Sequence, residues 1–350
     1  MDKSSDSGGW ISGRWKSILT IFTFSVLALL IYTLRRQIVD VISNLGQVNT
    51  WALLLMVPLQ ILNYDAYARL YRSFFNILKE RVSYRSMYRL SLEMMFVNHV
   101  LPSGGVSGIS YFGLRMRSFG VNAAKATLVQ LMKFMLIFVS FQILLVAGLF
   151  ALAVKGHVNN FTILISASVI TLVVVGTLTG AYILESRSRI RGFLTLLTKV
   201  LNKLIQVIRP RYPETINLQK AQNTFEDLHE NYIILKSNWP ALKGPLLYAL
   251  IANITEVATV YVVYIAFGNF VNVGAVILAY AVANFAGLIS VLPGGVGVYE
   301  TLMTAVLISA GIKPELAIPV VIMYRILSMF IQLAPGYVLY HRAMNHTSVK

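Results

Sequence analysis

The sequence has no cysteine and few acidic residues, and both absences narrow what it can do. Without cysteine the chain forms no disulfides, thiolate metal sites or cysteine nucleophiles. Its 14 Asp and Glu are outnumbered by 30 Lys and Arg, which gives a formal net charge of +16. Only 13% of the residues are charged, compared with roughly 25% in ordinary soluble domains. The composition therefore argues against a soluble domain.

Long hydrophobic runs take the place of the missing charge. Hydrophobic residues make up 57% of the chain, and several runs approach the ~20 apolar residues that cross a bilayer as a helix. We predict an all-α polytopic membrane protein, with residues 1–350 forming a single membrane domain. About six transmembrane helices are expected, at residues 17–34, 47–66, 126–153, 161–184, 244–268 and 316–340.

Two further apolar segments, residues 90–113 and 274–311, are each broken by a Pro-Gly cluster. Each half is shorter than the ~20 residues of a full crossing, so we predict two re-entrant hairpins. Proline ends the first half-helix, and glycine permits the tight reversal. The half-helix after the turn presents free N–H groups that suit an anionic headgroup. The tip residues are Pro102, Gly104 and Gly105 in the first hairpin, and Pro293, Gly294, Gly295 and Gly297 in the second.

The positive charge is explained by orientation in a membrane. Basic residues concentrate in a predicted loop, 69–89, and in the polar segment 185–243, and Lys and Arg accumulate on the cytoplasmic side. We therefore place both segments and both termini in the cytoplasm of a cell-membrane protein, with 185–243 as an amphipathic segment on the anionic leaflet. Nucleic acid is not needed as a partner.

An internal repeat appears at an offset of 191 residues. Leu101-Pro102 aligns with Leu292-Pro293, and Gly120-Val121 aligns with Gly311-Ile312. The repeat units extend over residues 47–153 and 244–340. An odd number of predicted crossings separates the two hairpins, so we expect the units to be inverted, as in transporters that work by alternating access.

Two cations are predicted within the membrane, Lys133 and Arg325, each in the helix that follows a hairpin. Ionisable groups at the centre of a membrane helix cost roughly 2.5–3.5 kcal/mol and are functional candidates. They could hold a lipid phosphate, or they could pair with a buried glutamate or snorkel to the interface. The candidate headgroup and gate residues are Asn98, Pro102, Gly104, Gly105, Arg115, Arg117, Lys133, Glu256, Pro293, Gly294, Gly295, Gly297, Glu300 and Arg325.

Three stretches carry a family resemblance: LPSGG with its following arginines (Leu101 to Arg117), LPGGVGVYE (Leu292 to Glu300), and the pair Tyr324-Arg325. Over about residues 15–342 the chain resembles the membrane region of lysylphosphatidylglycerol synthases, also called the flippase-like domain family. In the full-length synthases a cytosolic domain attaches lysine to phosphatidylglycerol, and the membrane region is linked to moving the product between leaflets. The resemblance implies the translocase part and not aminoacyl transfer.

We therefore expect a lipid translocase that moves an anionic, aminoacylated or polyprenyl-linked lipid between leaflets. No catalytic motif, metal cluster or cofactor loop is predicted. Two alternatives remain open: a scaffold or regulatory subunit of a lipid- or glycan-modifying enzyme, and a membrane-embedded enzyme that uses Glu256, Glu300 or His99. The expected partner is a membrane phospholipid or another lipid-linked substrate. Binding to a lipid-modifying enzyme, or to a second copy of the chain, remains open.

Overall fold

The computed structural model describes residues 34–43, 45–100, 106–154, 160–193, 195–196, 229–289 and 295–346, with the isolated residues 25 and 32. Within these ranges every regular element is a helix. Residues 101–105 of the first predicted hairpin and 290–294 of the second lie outside the described residues. So do most of the predicted first span and most of the predicted amphipathic segment.

Ten of the described α-helices fall into two groups, and further helical residues lie at 34–43, Arg187–Phe193 and 229–237. The first group is α1 Thr50–Leu54, α2 Met56–Ile77, α3 Tyr84–Val100, α4 Val106–Ser118 and α5 Ala123–Val154, followed by α6 Asn160–Leu184. The second group is α7 Lys243–Ala266, α8 Val273–Ile289, α9 Val298–Ser309 and α10 Pro314–His346. Short 3-10 helices at Leu45–Gln47 and Trp239–Leu242 precede α1 and α7.

Three of the described helices are long and apolar enough to cross a membrane. They are Ala123–Val154, Trp239–Ala266 and Pro314–Met344, and they coincide with the predicted spans 126–153, 244–268 and 316–340. Ile170–Leu184 and Arg187–Phe193 make a fourth candidate, bent by 116°. The all-helical, polytopic class is confirmed, whereas the count of six spans and the re-entrant path of the hairpins stay predictions.

The predicted loop at 69–89 is wrong. Helix α2 continues to Ile77 and α3 begins at Tyr84, so only residues 78–83 connect them. The reason is an apolar face, since Tyr71, Phe74 and Phe75 are buried while the neighbouring arginines are exposed. The arginines alone suggested a loop, but amphipathic spacing keeps the segment helical.

The helices repeat in order and in length. Helices α2, α3, α4 and α5 have 22, 17, 13 and 32 residues, and α7, α8, α9 and α10 have 24, 17, 12 and 33. The turn after α4 and the turn after α9 use the same backbone hydrogen bond, from Val121 N–H to Met116 O (3.0 Å) and from Ile312 N–H to Leu307 O (3.1 Å). Gly120 and Gly311 supply the positive φ, +78° and +89°, that these turns need.

One pair of equivalent helices, α2 and α7, runs antiparallel. Along α2 and the residues before it, Asn49 N–H donates to Ala266 O (2.9 Å), and Asn63 Nδ2 donates to Ala252 O (2.9 Å). Residue numbers rise along α2 where they fall along α7, as they do in a pair of antiparallel helices. In addition, α3 packs on α10 of the other unit, and α8 packs reciprocally on α5. Both features support the predicted inversion of the units.

Candidate functional site

A cavity of about 240 Å³ lies among helices of both units. Its wall comes from α2, α3 and α5 of the first unit and from α7 to α10 of the second. We call it the central cavity.

The two long helices α5 and α10 line the central cavity with equivalent positions. Helix α5 contributes Lys133, Phe134, Ile137, Phe138 and Phe141, and α10 contributes Tyr324, Arg325, Ser328, Met329 and Gln332. Each residue of the second set is 191 positions after its counterpart in the first. The spacings of one, three and four residues are those of one face of a helix. The cavity therefore lies where the corresponding faces of the two units meet.

Arg325 is buried and held by an ion pair. Its Nε donates to Glu300 Oε1 at 3.0 Å, and its guanidinium carbon lies 4.3 Å from the ring centroid of Tyr299. Glu300 Oε2 also accepts the N–H of Gly297 at 2.6 Å, and Gly297 has a φ of +86°. One carboxylate thus caps α9 and joins it to α10. Pairing with a glutamate is one of the alternatives that the sequence leaves open for Arg325.

Lys133 lines the cavity in a different environment. Its Nζ lies 5.4 Å from the ring centroid of Tyr67, 5.9 Å from that of Tyr71 and 4.5 Å from that of Phe134. No ion pair joins it to a carboxylate of the described residues, unlike Arg325. Aromatic faces attract a cation without neutralising its charge, so Lys133 gives its side of the cavity a positive potential.

Glu256 lines the cavity from α7 and is 8% exposed. It accepts a hydrogen bond from the hydroxyl of Tyr324 at 3.3 Å. Asn253, one turn earlier, donates to Ile137 O at 3.2 Å and to Ser140 Oγ, so it connects α7 to α5. His99 also lines the cavity, and its Nδ1 lies 2.8 Å from Met95 O.

The structure brings only some of the predicted site residues together. Asn98 lines the cavity and packs so closely on Gly108 that any side chain there would collide with its amide. Arg115 instead pairs with Glu93, with 2.8 Å between Nε and Oε2, and Arg117 is exposed. Neither arginine lines the cavity.

The hairpin glycines and prolines are only partly described. Gly295 and Gly297 lie just before α9 and both have positive φ, +68° and +86°. Such φ values are easy for glycine and strained for other residues. The remaining predicted tip residues lie outside the described residues: Pro102, Gly104, Gly105, Pro293 and Gly294.

Sequence reasoning missed the polar stripe on α10 and the tyrosines around it. Tyr324, Ser328 and Gln332 follow one another at intervals of four residues in an apolar helix. That spacing places them on one face, which is a readable signal. The other cavity tyrosines, Tyr67, Tyr71, Tyr280 and Tyr299, are spread over three helices, and no sequence pattern connects those helices. Within the described ranges, no three His, Asp or Glu lie close enough to hold a metal ion.

The fold and site define a polytopic helical membrane protein with a cavity lined by helices of both predicted units. Comparison with known proteins identifies its relatives. The chain belongs to the family described as the lysylphosphatidylglycerol synthase TM region, whose model matches residues 17–336.

Curated relatives are archaeal UPF0104 membrane proteins. One from Methanocaldococcus jannaschii is 22% identical over 330 residues, which is 92% of this chain and 93% of the relative. One from Pyrococcus horikoshii is 22% identical over 202 residues, 56% of this chain and 57% of the relative. One from Methanothermobacter thermautotrophicus is 30% identical over 129 residues, 34% of this chain and 39% of the relative. The last two matches therefore span only part of those relatives' own length.

Proposed function

We propose that this protein is a lipid translocase that moves an anionic, aminoacylated or polyprenyl-linked lipid between the leaflets of the cell membrane. One observation carries the proposal: Lys133 and Arg325 come from equivalent helices of the two units and line the same cavity. Membrane cations that face a protein interior commonly mark substrate pathways. A cavity reached from two inverted units is the arrangement used for alternating access.

The charges of the cavity favour a phosphate at the α5 wall. Arg325 is paired with Glu300, whereas Lys133 lies over aromatic rings. An anion is therefore attracted more strongly to Lys133, where it gains a charge-assisted hydrogen bond. Glu256, which lines the cavity from α7, disfavours an anion in its own vicinity and suits neutral or positive parts of a headgroup.

The volume limits which part of a lipid enters. At about 240 Å³, the cavity is slightly smaller than the ~300–1,000 Å³ of typical small-molecule sites. It fits a headgroup but not two acyl chains, which would stay in the bilayer. The family name, which refers to the synthase of an aminoacylated phosphatidylglycerol, supports a phospholipid as cargo.

The test uses purified protein in liposomes that contain a fluorescent phosphatidylglycerol, with an impermeant quencher reporting exchange between leaflets. We expect wild-type protein to accelerate exchange and Lys133→Met to slow it about tenfold or more, because a charge-assisted hydrogen bond contributes about 1.5–3 kcal/mol. The control is Lys243→Met, the same change at an exposed lysine at the start of α7. It should leave exchange unchanged.

Three outcomes would contradict the proposal. Exchange no faster than in protein-free liposomes would refute the translocase function and favour a role as a scaffold for a lipid-modifying enzyme. A lipid of altered mass would favour a membrane-embedded enzyme. Equal rates for Lys133→Met and wild type would show that Lys133 does not hold the headgroup.

A further inference from the structure

A chain of buried polar side chains connects α7, α2 and α10 beside the central cavity. Thr259 Oγ1 donates to Thr255 O at 2.7 Å, and Gln60 Nε2 donates to Thr259 Oγ1 at 3.4 Å. Gln332 Nε2 then donates to Gln60 Oε1 at 3.1 Å. The chain ends at Gln332, which lines the cavity.

The direction of these hydrogen bonds fixes both amide groups. The proton of Thr259 is committed to a backbone carbonyl, so its oxygen must accept from Gln60. Gln60 therefore turns its own carbonyl oxygen to Gln332, and that oxygen must accept. Because Gln332 uses its NH₂ group for this bond, the atom it leaves over is the carbonyl oxygen.

Two side-chain oxygens on this face of α10 lack a hydrogen-bond partner in the part of the chain that the structure describes. Gln332 Oε1 and Ser328 Oγ are buried and have no hydrogen-bond partner among the described residues. Both side chains are only 5% exposed. Ser328 lies one turn from Gln332 and one turn from Tyr324, which bonds to Glu256. Buried acceptors without donors are costly, and a bound cation would satisfy them together.

The charge at these oxygens matches a monovalent cation. Glu256 supplies one carboxylate, and Ser328 and Gln332 supply neutral oxygens. Hard cations prefer such oxygen ligands. Ca²⁺ sites usually include several carboxylates, and no cluster of three such groups is found within the described ranges. In transporters, Na⁺ is coordinated by oxygens near the middle of the membrane.

The equivalent wall of the first unit offers no comparable set of ligands. The counterparts of Ser328 and Gln332 at an offset of 191 are Ile137 and Phe141, which also line the cavity. Their side chains have no oxygen. The two walls are thus equivalent in position and different in ligand chemistry, and only the second suits a cation.

We propose that the protein binds one Na⁺ ion at the α10 wall of the central cavity, with Glu256, Ser328 and Gln332 as ligands. As the coupling ion, Na⁺ would deepen the proposed translocase function, and in that respect alone the inference rests on it. Binding itself does not depend on lipid transport.

The test measures thermal unfolding of the purified protein in detergent without added lipid. Chloride salts of Na⁺, K⁺ and choline are compared at one ionic strength, with Na⁺ titrated. We expect a saturable rise in the melting temperature of about 3 °C or more, specific to Na⁺. Ser328→Ala removes one neutral ligand. It should raise the Na⁺ concentration that gives half of the rise in melting temperature at least tenfold. Ser168→Ala, at an exposed serine of α6, should respond like wild type.

Equal melting temperatures in Na⁺, K⁺ and choline would overturn the proposal, and so would an unchanged Na⁺ response in Ser328→Ala. Stabilisation by a lipid with a primary ammonium group, but not by Na⁺, would also overturn it. Glu256→Gln, which removes the charged ligand, should abolish the Na⁺ response, and if that variant fails to fold, Ser328→Ala still decides. A protein that binds Na⁺ but moves no lipid would keep the ion site and refute the translocase. A protein that moves lipid but binds no Na⁺ would keep the translocase and refute the ion site.

Discussion

Helices α5 and α10 occupy equivalent places in the two units and line the same cavity with five equivalent positions each. On α5 these positions carry one lysine and four apolar residues. On α10 they carry a tyrosine, an arginine, a serine, a methionine and a glutamine. The comparison shows that the backbone arrangement is retained while the chemistry of the cavity wall has diverged.

The two cations show the divergence most clearly. Arg325 on α10 is paired with a buried carboxylate, whereas Lys133 on α5 lies over three rings. Arg325, neutralised by Glu300, can join two helices, whereas Lys133 can attract an anion. In the first unit, the buried ion pair lies instead between Glu93 and Arg115, and it joins the two halves of the broken segment. An ion pair therefore connects α3 to α4 in the first unit and α9 to α10 in the second.

The largest effect is expected for Glu300→Gln. The change leaves Arg325 as a buried cation without this carboxylate and weakens the cap on Gly297. Breaking a buried ion pair from one side costs about 3–5 kcal/mol. We expect the free energy of unfolding to fall by that amount, as measured by thermal or denaturant unfolding of the purified protein.

Two further variants separate pairing from a general loss of charge. Glu315→Gln removes an exposed carboxylate from the first turn of α10 and should change stability little. The double variant Glu300→Gln/Arg325→Met should recover most of the loss, because the cation that Glu300 neutralised is then absent. If the double variant is as unstable as Glu300→Gln, the ion pair is not the cause.

A smaller effect is expected at the reciprocal contacts between the units. A Cβ added at Gly336 of α10 would come within 2.7 Å of Phe96 Cβ and 2.8 Å of Leu92 O on α3. A Cβ at Gly148 of α5 would meet the side chain of Ile277 on α8 at 3.0 Å, and the nearest backbone atom, Gly274 O, at an ordinary 3.5 Å. Gly336→Ala should therefore destabilise by about 1–3 kcal/mol, as overpacking does, and Gly148→Ala should cost less.

Gly176→Ala on α6 is the matched control, since nothing lies within 4 Å of the added atom. It should be neutral or slightly stabilising, because alanine favours a helix over glycine. The unfolding temperatures should rank in the order Gly176→Ala, Gly148→Ala, Gly336→Ala, from highest to lowest. Equal values for all three would mean that α3 and α10 are not packed as the structure shows.

The sequence predicts the membrane class because hydrophobic runs and scarce charge are local, additive properties. It also provides the 191-residue offset, because the turn residues Gly120 and Gly311 recur with their neighbours. Lys133 and Arg325 could be selected because charge at membrane depth is rare.

The partners of these cations could not be predicted from one sequence. Glu300 is 25 residues from Arg325, and Glu93 is 22 residues from Arg115. Whether such residues meet depends on how each helix is rotated about its axis, which tertiary packing decides. For the same reason, neither Gln60 nor the orientation of Gln332 could be inferred, since their hydrogen bond joins residues 272 positions apart.

The smallest effect is expected outside both units, in the polar segment that links them. Lys236 Nζ lies 2.7 Å from Glu185 Oε1, and both side chains are about half exposed. The hydrogen bond with Lys236 lowers the pKa of Glu185, and the same hydrogen bond raises the pKa of Lys236. Exposed ion pairs contribute little because water and salt screen them. Lys236→Met should therefore change the unfolding temperature far less than Glu300→Gln or Gly336→Ala.

The pH dependence of this small difference identifies its source. A carboxylate whose pKa is lowered by folding stabilises the protein above its ordinary pKa and loses that contribution as the pH falls through the lowered value. The lysine, whose pKa is raised, loses its contribution only as the pH rises through its own raised value. The difference between wild type and Lys236→Met should thus persist at neutral pH, and it should shrink in acid and in high salt. A difference that is constant over this range would instead reflect contacts of the lysine's aliphatic stem.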